Sequence, residues 1–115
     1  MALLTTQTIA LAGLEPSYAA AAEAGDTYTD DGSNRIFVHA KNGSGGPITV
    51  TIASQVTPAA SSGTAAANLA VVVPAGEERM VGPVPRPFVA ASTNLVAMTY
   101  SSHTSLTVGV FKLGA

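Results

Sequence analysis

Histidines and carboxylates are the side chains here whose chemistry could support acid–base catalysis or metal binding. The two histidines, His39 and His103, lie far apart in sequence and form neither a His-x-His nor a His-x-x-x-His pair, so their spacing indicates no metal site. Glu77 and Glu78 are adjacent, and neighbours in a strand point to opposite faces, which is poor geometry for a catalytic carboxylate pair. We therefore expect the histidines at exposed or strand-edge positions and no acid–base pair.

Segment 26–34 reads DTYTDDGSN, a composition that invites comparison with a calcium loop. An EF-hand loop needs ligands at alternating positions and a glutamate at its twelfth position. Counted from Asp26 the twelfth residue is Phe37, and counted from Asp30 it is Lys41. The sequence therefore predicts a solvated turn before the first strand of the body, with no metal.

Other motifs of catalysis and cofactor binding are missing from the sequence. No Gly-x-Ser-x-Gly nucleophile motif occurs, and the glycine-rich segment 43–46 lacks the Gly-Lys-Ser/Thr of a phosphate-binding loop. Asn42 begins an Asn-Gly-Ser glycosylation pattern, which we interpret as turn chemistry. Cysteine is absent, which excludes disulfides and thiolate metal sites. We expect a protein that is not an enzyme and that holds no cofactor or metal.

The chain is poor in charge. Charged residues make up 10% of its 115 residues and the net charge is −2, whereas an ordinary soluble domain carries about 25% charged residues. This balance gives no electrostatic basis for binding nucleic acid or an anionic membrane, and no run of residues is long and apolar enough to span a bilayer. Two interpretations stay open: a surface covered by neighbouring molecules, or a small domain with alanine-rich loops.

The elements that must position any site are predicted to be β-strands. Residues 35–54, RIFVHAKNGSGGPITVTIAS, alternate apolar and polar side chains on both sides of a glycine-rich turn, which predicts an antiparallel hairpin. Residues 94–113 predict a second hairpin, in which either Val96, Met98 and Tyr100 or Leu95 and Ala97 face the core. Short strands are predicted at 69–73 and 77–82. These strands imply an all-β, antiparallel sandwich or small barrel.

Residues 1–26 differ in composition from the rest and are predicted to form an N-terminal arm on a β-sandwich domain of residues 27–115. Within the arm, the alanine-rich segment 17–24 is expected to form up to two turns of helix, which is marginal without packing. The arm has no basic residue, so it is not predicted to be a secretory signal. Three arrangements stay open: docking on another subunit, packing on its own body, or fraying.

Several short turn and strand motifs carry a resemblance to a known family. They are Asn42-Gly43-Ser44, ITVTI at 48–52, VPAG at 73–76, Gly82-Pro83, Val96, TYS at 99–101 and Thr107-Val108. Together they resemble small virion structural proteins of tailed bacteriophages, with capsid decoration (cement) proteins as the closest subgroup. The resemblance implies a compact antiparallel β-sandwich or jelly-roll-like body of six to eight short strands, an extended N-terminal arm and no catalytic residues.

The function implied by this resemblance is binding and stabilising the capsid shell at the virion surface, after synthesis in the host cytoplasm. The implied partners are the major capsid protein and neighbouring copies of the chain, as a homo-oligomer (a trimer favoured) or bound to the shell lattice. Loop 57–68 is a secondary candidate for contact. The residues expected at interfaces are Leu3, Leu4, Ile9, Leu11, Leu14, Tyr18, Pro85, Arg86 and Phe88.

Two alternative functions stay open at this point. The chain is alternatively a structural protein of the phage neck or tail, which the sequence does not distinguish from a shell protein. From a different class, it is alternatively an Ig-like adhesin or a carbohydrate-binding module. Such modules usually offer exposed aromatic rings to stack on sugars, whereas this chain has no tryptophan, three tyrosines and three phenylalanines.

Overall fold

The computed structural model describes residues 2–55, 68–85, 88–90 and 92–114. Over these ranges the chain is all-β, with 48% strand and no helix, so that no helix capable of crossing a membrane occurs there. The strands in chain order are β1 (Ala2–Leu3), β2 (Thr6–Ile9), β3 (Ala19–Ala20), β4 (Asp26–Thr29), β5 (Ile36–Asn42), β6 (Ile48–Ile52), β7 (Leu69–Val73), β8 (Glu78–Val81), β9 (Leu95–Tyr100) and β10 (Leu106–Leu113).

The strands form two mixed sheets of five strands each. Sheet 1 has the order β1-β4-β9-β6-β7, and sheet 2 has the order β2-β10-β5-β8 with β3 also paired to β10. Buried apolar side chains from both sheets make one core cluster. The predicted β-sandwich class is therefore confirmed.

The period-two pattern of the sequence correctly indicates which side chains are buried. Ile48, Val50 and Ile52 of β6 face the core, and the threonines between them are partly exposed. In β9 the structure selects the first of the two predicted sets, with Val96 and Met98 fully buried. Alternation of this kind places one side of each strand in the core and leaves the other available for contacts.

Both predicted hairpins are wrong in their pairing, although their strands exist. β5 lies in sheet 2 between β10 and β8, whereas β6 lies in sheet 1 between β9 and β7. β9 and β10 are likewise in different sheets. The buried Asn42 side chain accounts for the first case, because its amide donates to the carbonyls of Gly46 and Val73 at 2.8 and 2.9 Å. These bonds tie the end of β5 to the end of β7 and direct the glycine-rich loop across the sandwich.

The N-terminal arm is extended, as predicted, and lies along its own body. β1 pairs in parallel with β4, β2 pairs in parallel with β10, and β3 pairs antiparallel with the other end of β10. The arm therefore raises the described strand count to ten, above the predicted six to eight, and makes the sheets mixed rather than purely antiparallel. The helix predicted over 17–24 is wrong: this segment contains β3, whose backbone bonds to β10 replace those of a marginal helix. Docking of the arm on a neighbour stays a prediction.

Candidate functional site

The outer face of sheet 2 combines aromatic, cationic and acidic side chains. Because side chains alternate along a strand, residues between the core-facing positions of β5, β8 and β10 point away from the core. They are Phe37, His39, Lys41, Glu78, Met80, Thr107 and Phe111. The strand order β10-β5-β8 places Phe37 opposite Phe111 and His39 opposite Met80. These side chains therefore form one continuous surface, and the arm lies over part of it.

A hydrogen-bonded chain of three side chains links the arm to this surface. The Tyr18 hydroxyl lies 2.7 Å from His39 Nδ1, and His39 Nε2 lies 2.6 Å from Glu78 Oε1. A carboxylate only accepts hydrogen bonds, so the neutral ring carries its proton on Nε2 and Nδ1 accepts from the tyrosine. The tautomer is assigned from this network. One residue each from the arm, β5 and β8 is thereby joined in a fixed order.

Ring packing reinforces the position of Tyr18. Its ring meets those of His39 and Phe111 edge-on, with centroid separations of 5.4 and 5.7 Å. The Lys41 ammonium lies 4.6 Å from the centre of the Tyr18 ring, within the range of a cation–π contact. Tyr18 is thus the anchor that holds the arm against sheet 2.

The pKa of Tyr18 favours the protonated, hydrogen-bond-donating form of its hydroxyl in the Tyr18–His39–Glu78 chain. Burial raises the pKa of Tyr18, and the nearby Glu78 carboxylate raises it further. A nucleophilic or basic tyrosine requires the opposite shift, because its reactive form is the tyrosinate. The hydroxyl therefore stays protonated and acts as a hydrogen-bond donor to His39.

A second set of contacts closes the arm onto β10. The side-chain amide of Gln7 donates to the Ser17 carbonyl at 2.7 Å and accepts from the Ser17 backbone N–H at 2.8 Å, so it joins two parts of the arm as a strand partner would. Beneath Ser17 lies Gly109, where an added Cβ would come within 3.0 Å of the Ser17 carbonyl oxygen and 2.9 Å of the Phe111 ring. The arm can lie this close to β10 because position 109 has no side chain.

An apolar groove lies between the arm and the outer face of sheet 2. We call it the aromatic groove; its volume is about 250 Å³. Its lining residues are Ile9, Leu14, Pro16, Tyr18, Phe37, His39, Met80 and Phe111. A larger hollow of about 420 Å³ lies on the other side of Tyr18, between Leu3, Leu4 and Gln7 of the arm and the 108–110 segment of β10. Tyr18 separates the two spaces.

The structure brings together some of the residues predicted at interfaces and separates others. Ile9, Leu14 and Tyr18 meet in the aromatic groove. Leu4 and Phe88 instead pack against the core. The positions of the rest are as follows: Leu3 and Leu11 are exposed, Pro85 lines a separate hollow beside Asp30, and Arg86 with loop residues 57–67 lies outside the described residues.

Sequence reasoning missed the partners of Tyr18 in this site, and the exposed or strand-edge position expected for His39 is wrong, because His39 is 9% exposed on β5, between β10 and β8. His39 and Glu78 are 39 positions apart in the numbering of the chain and meet only because β5 and β8 are neighbours. The alternation of β5 does indicate that Phe37 and His39 share the outward face. No signal in the sequence shows that β8 and the arm lie on either side of that face.

The solvated turn predicted over the acidic segment 26–34 is wrong for its first half, because Asp26–Thr29 form β4 with Asp26 and Tyr28 buried; residues 30–35 form the turn before β5. The Asp30 side chain accepts a hydrogen bond from the backbone N–H of Gly32, and the Asp31 side chain accepts one from the backbone N–H of Ser33. Lys112 also donates to Asp31 at 2.6 Å, and this hydrogen bond, with those from Ser33, holds the pKa of the Asp31 carboxyl well below its usual range. Over the described ranges, no group of three or more His, Cys, Asp or Glu residues is placed to hold a metal ion.

Comparison with known proteins assigns no family to this fold and site. The chain matches no protein-family model, and no curated protein or solved structure is significantly similar to it. Its function is therefore argued from its own geometry.

Proposed function

We propose that this chain is a non-enzymatic structural protein of a tailed-bacteriophage virion, which binds the capsid shell as a decoration (cement) protein and stabilises it. The observation that carries this proposal is that some side chains of the arm hold it against the body while others are exposed to solvent. Tyr18, Leu4 and Ile9 anchor the arm to the body, whereas Leu3 is about two-thirds exposed and Leu11 is fully exposed. An anchored arm that presents leucines to solvent is suited to bind an apolar site on another protein.

Stabilisation of the shell follows from mass action. A protein that binds the assembled shell and not its separated subunits stabilises the assembled state by an amount that grows with its free concentration relative to Kd. Among the described residues each copy exposes five large apolar side chains, so a single contact buries little apolar surface and is weak. Many copies on a repeating lattice, linked to the shell and to each other, gain affinity through avidity. The major capsid protein and neighbouring copies of the chain are therefore the partners.

The chemistry of the outer face of sheet 2 supports a structural role. The raised pKa of Tyr18 keeps its hydroxyl protonated. His39 is engaged on both ring nitrogens. Phe111 is 4% exposed, so its ring offers little surface on which a sugar could stack. This last point favours the virion protein over a carbohydrate-binding module.

The copy number in purified particles tests the proposal. The particles are those produced from the genome that encodes this chain, and quantitative mass spectrometry gives its ratio to the major capsid protein. A decoration protein gives a fixed ratio of the same order as the capsid protein. A few copies per particle would indicate the neck or tail instead. Complete absence from the particles would overturn a virion role and leave the adhesin or carbohydrate-binding alternative.

The contribution of the arm is tested with exposed residues, because deleting residues 1–14 would also remove β1 and β2. The double change Leu3→Ser and Leu11→Ser alters two solvent-exposed side chains and is expected to preserve the fold. Shells stripped of the chain are then incubated with each variant and analysed for occupancy. We expect the double variant to lose most of its occupancy. Val72→Ser, a matched change at an exposed residue of β7, should bind as the unaltered chain does; equal binding by all three would remove these leucines from the interface.

A further inference from the structure

Exposed apolar side chains cluster around the aromatic groove. Among the described residues, five large apolar side chains are exposed: Leu3, Leu11, Val72, Met80 and Leu113. Met80 lines the groove. Leu113 is the register partner of the groove residue Ile9. Leu11 lies in the arm between Ile9 and Leu14, two further lining residues. Three of the five therefore surround one groove, which is the pattern of a contact surface.

Leu11 projects from a defined turn. The N–H of Gly13 donates to the Ala10 carbonyl at 2.9 Å, and Gly13 has a φ of 106°, a left-handed value that glycine adopts readily. This turn holds the Leu11 side chain fully in solvent. Its neighbours are two alanines and the glycine, so that no charged group would accompany Leu11 into an apolar site.

The groove has the size and polarity to receive such a side chain. A dry cavity of about 150 Å³ lined by apolar side chains admits a benzene ring, and the aromatic groove has about 250 Å³. Met80 at its rim is unbranched and flexible, which allows it to adjust around an incoming group. Tyr18 and His39 already satisfy each other, so an apolar occupant leaves neither without a partner.

We propose that two copies of this chain dimerise by inserting Leu11 of each copy into the aromatic groove of the other. Leu11 is two residues from Ile9 and three from Leu14, both of which line the groove, so one two-fold axis between the copies would form both contacts at once. This geometry gives a dimer instead of the trimer that the family resemblance favours. The contact is made between copies alone and does not depend on a shell.

Sedimentation velocity over a concentration series tests the association. We expect the unaltered chain to pass from monomer to dimer, and Leu11→Asp to weaken dimerisation at least tenfold. Met80→Asp, which alters the groove from the other side, should have a similar effect, whereas Val72→Asp on β7 should not. A chain that stays monomeric at every concentration, or forms a trimer, would overturn the proposal, as would equal association by all variants.

Disulfide trapping tests the contact itself, because the chain has no cysteine of its own. A Leu11→Cys chain is mixed in equal amounts with a Met80→Cys chain under mild oxidation, so that any mixed disulfide must join two molecules. We expect the mixed product to form at least tenfold faster than with Val72→Cys in place of Met80→Cys. Equal rates for the two mixtures would show that Leu11 does not approach the groove of a second copy.

Discussion

Two tyrosines at the core differ in the hydrogen bonding of their hydroxyls, one being partly buried and the other fully buried. The Tyr100 hydroxyl donates to Asp26 at 2.6 Å, and Asp26 is 1% exposed. Tyr28 is also fully buried, two residues along β4 from Asp26, and its hydroxyl has no hydrogen-bond partner among the described residues. A buried polar group without a partner costs about 1–3 kcal/mol of desolvation. The same side chain is therefore stabilised at one position and unsatisfied at the other.

Replacing each tyrosine by phenylalanine should separate these two cases. We expect Tyr28→Phe to be neutral or to stabilise by up to about 2 kcal/mol, because it removes an unsatisfied hydroxyl. Tyr100→Phe should destabilise by about 1–3 kcal/mol, because it leaves the buried Asp26 carboxylate without its shortest hydrogen bond. Urea unfolding of both variants measures the difference. Equal losses in the two variants would contradict this assignment.

The Asn42 side chain connects the end of β5 to the glycine-rich loop and to the end of β7 through hydrogen bonds. Its amide nitrogen donates to the carbonyls of Gly46 and Val73 and, at 3.3 Å, to that of Pro74. Its oxygen accepts from the Ser44 N–H at 2.9 Å. Asn42→Asp keeps the shape but turns a donor into a charged acceptor that faces carbonyl oxygens. We expect a loss of about 3–5 kcal/mol in the free energy of unfolding, as for an uncompensated buried charge.

Thermal or urea unfolding of Asn42→Asp at neutral pH gives this loss directly. Gly45→Ala in the same loop is the control, because an added Cβ there would have no atom within 4 Å. A loss below about 1 kcal/mol for Asn42→Asp would mean that the loop does not depend on the amide.

At the scale of elements, the sequence predicts the positions of strands and their buried side chains better than it predicts which strands pair. The alternation in 48–52 and 95–100 correctly predicts β6 and β9, because one side of each strand must be apolar. The pairing of β5 depends on the route of the 43–47 loop, which the Asn42 amide fixes through contacts with a distant strand. The candidate site is likewise only partly predictable from the sequence. Tyr18 and Ile9 are predicted as contact residues, but the groove that they line exists only because β5, β8 and β10 are adjacent.

The packing of the arm depends on Gly109. Gly109→Ala would place a methyl group about 3 Å from the Ser17 carbonyl and from the Phe111 ring, so the arm must shift away from β10. Overpacking of this kind costs about 1–3 kcal/mol, and it should release Tyr18 from His39.

Elastase provides the readout for Gly109→Ala, since it cleaves at small residues such as the alanines around β3. We expect cleavage within residues 19–24 to be at least tenfold faster in Gly109→Ala than in the unaltered chain or in Gly45→Ala. Unchanged cleavage would show that the arm is held independently of position 109.

At the scale of the whole molecule, stability depends on pH at both extremes for different reasons. The pKa of Asp31 is lowered in the folded chain by its hydrogen bond to Lys112, so its contribution is present at neutral pH and is lost as the pH falls below the unfolded value of about 3.9. The surface location of this pair makes the effect small. The alkaline limit is expected to be larger because it involves the core.

Above pH 10 Tyr28, which is fully buried, and Tyr100, which is partly buried, should drive unfolding together. Burial raises the pKa of both Tyr28 and Tyr100 far above the usual value, and Asp26 adds to the shift of Tyr100. Their neutral forms therefore contribute stability that is complete below about pH 10, where the unfolded tyrosines are also protonated, and that is lost as the pH rises further.

The free energy of unfolding should fall by about 1.4 kcal/mol per pH unit for each of these tyrosines, or about 2.8 kcal/mol per pH unit for the two. Tyrosinate absorbance should rise together with the loss of the strand signal in circular dichroism, and Tyr100→Phe should lower the slope by about 1.4 kcal/mol per pH unit. Ionisation of all three tyrosines near pH 10 in a folded chain would contradict this mechanism.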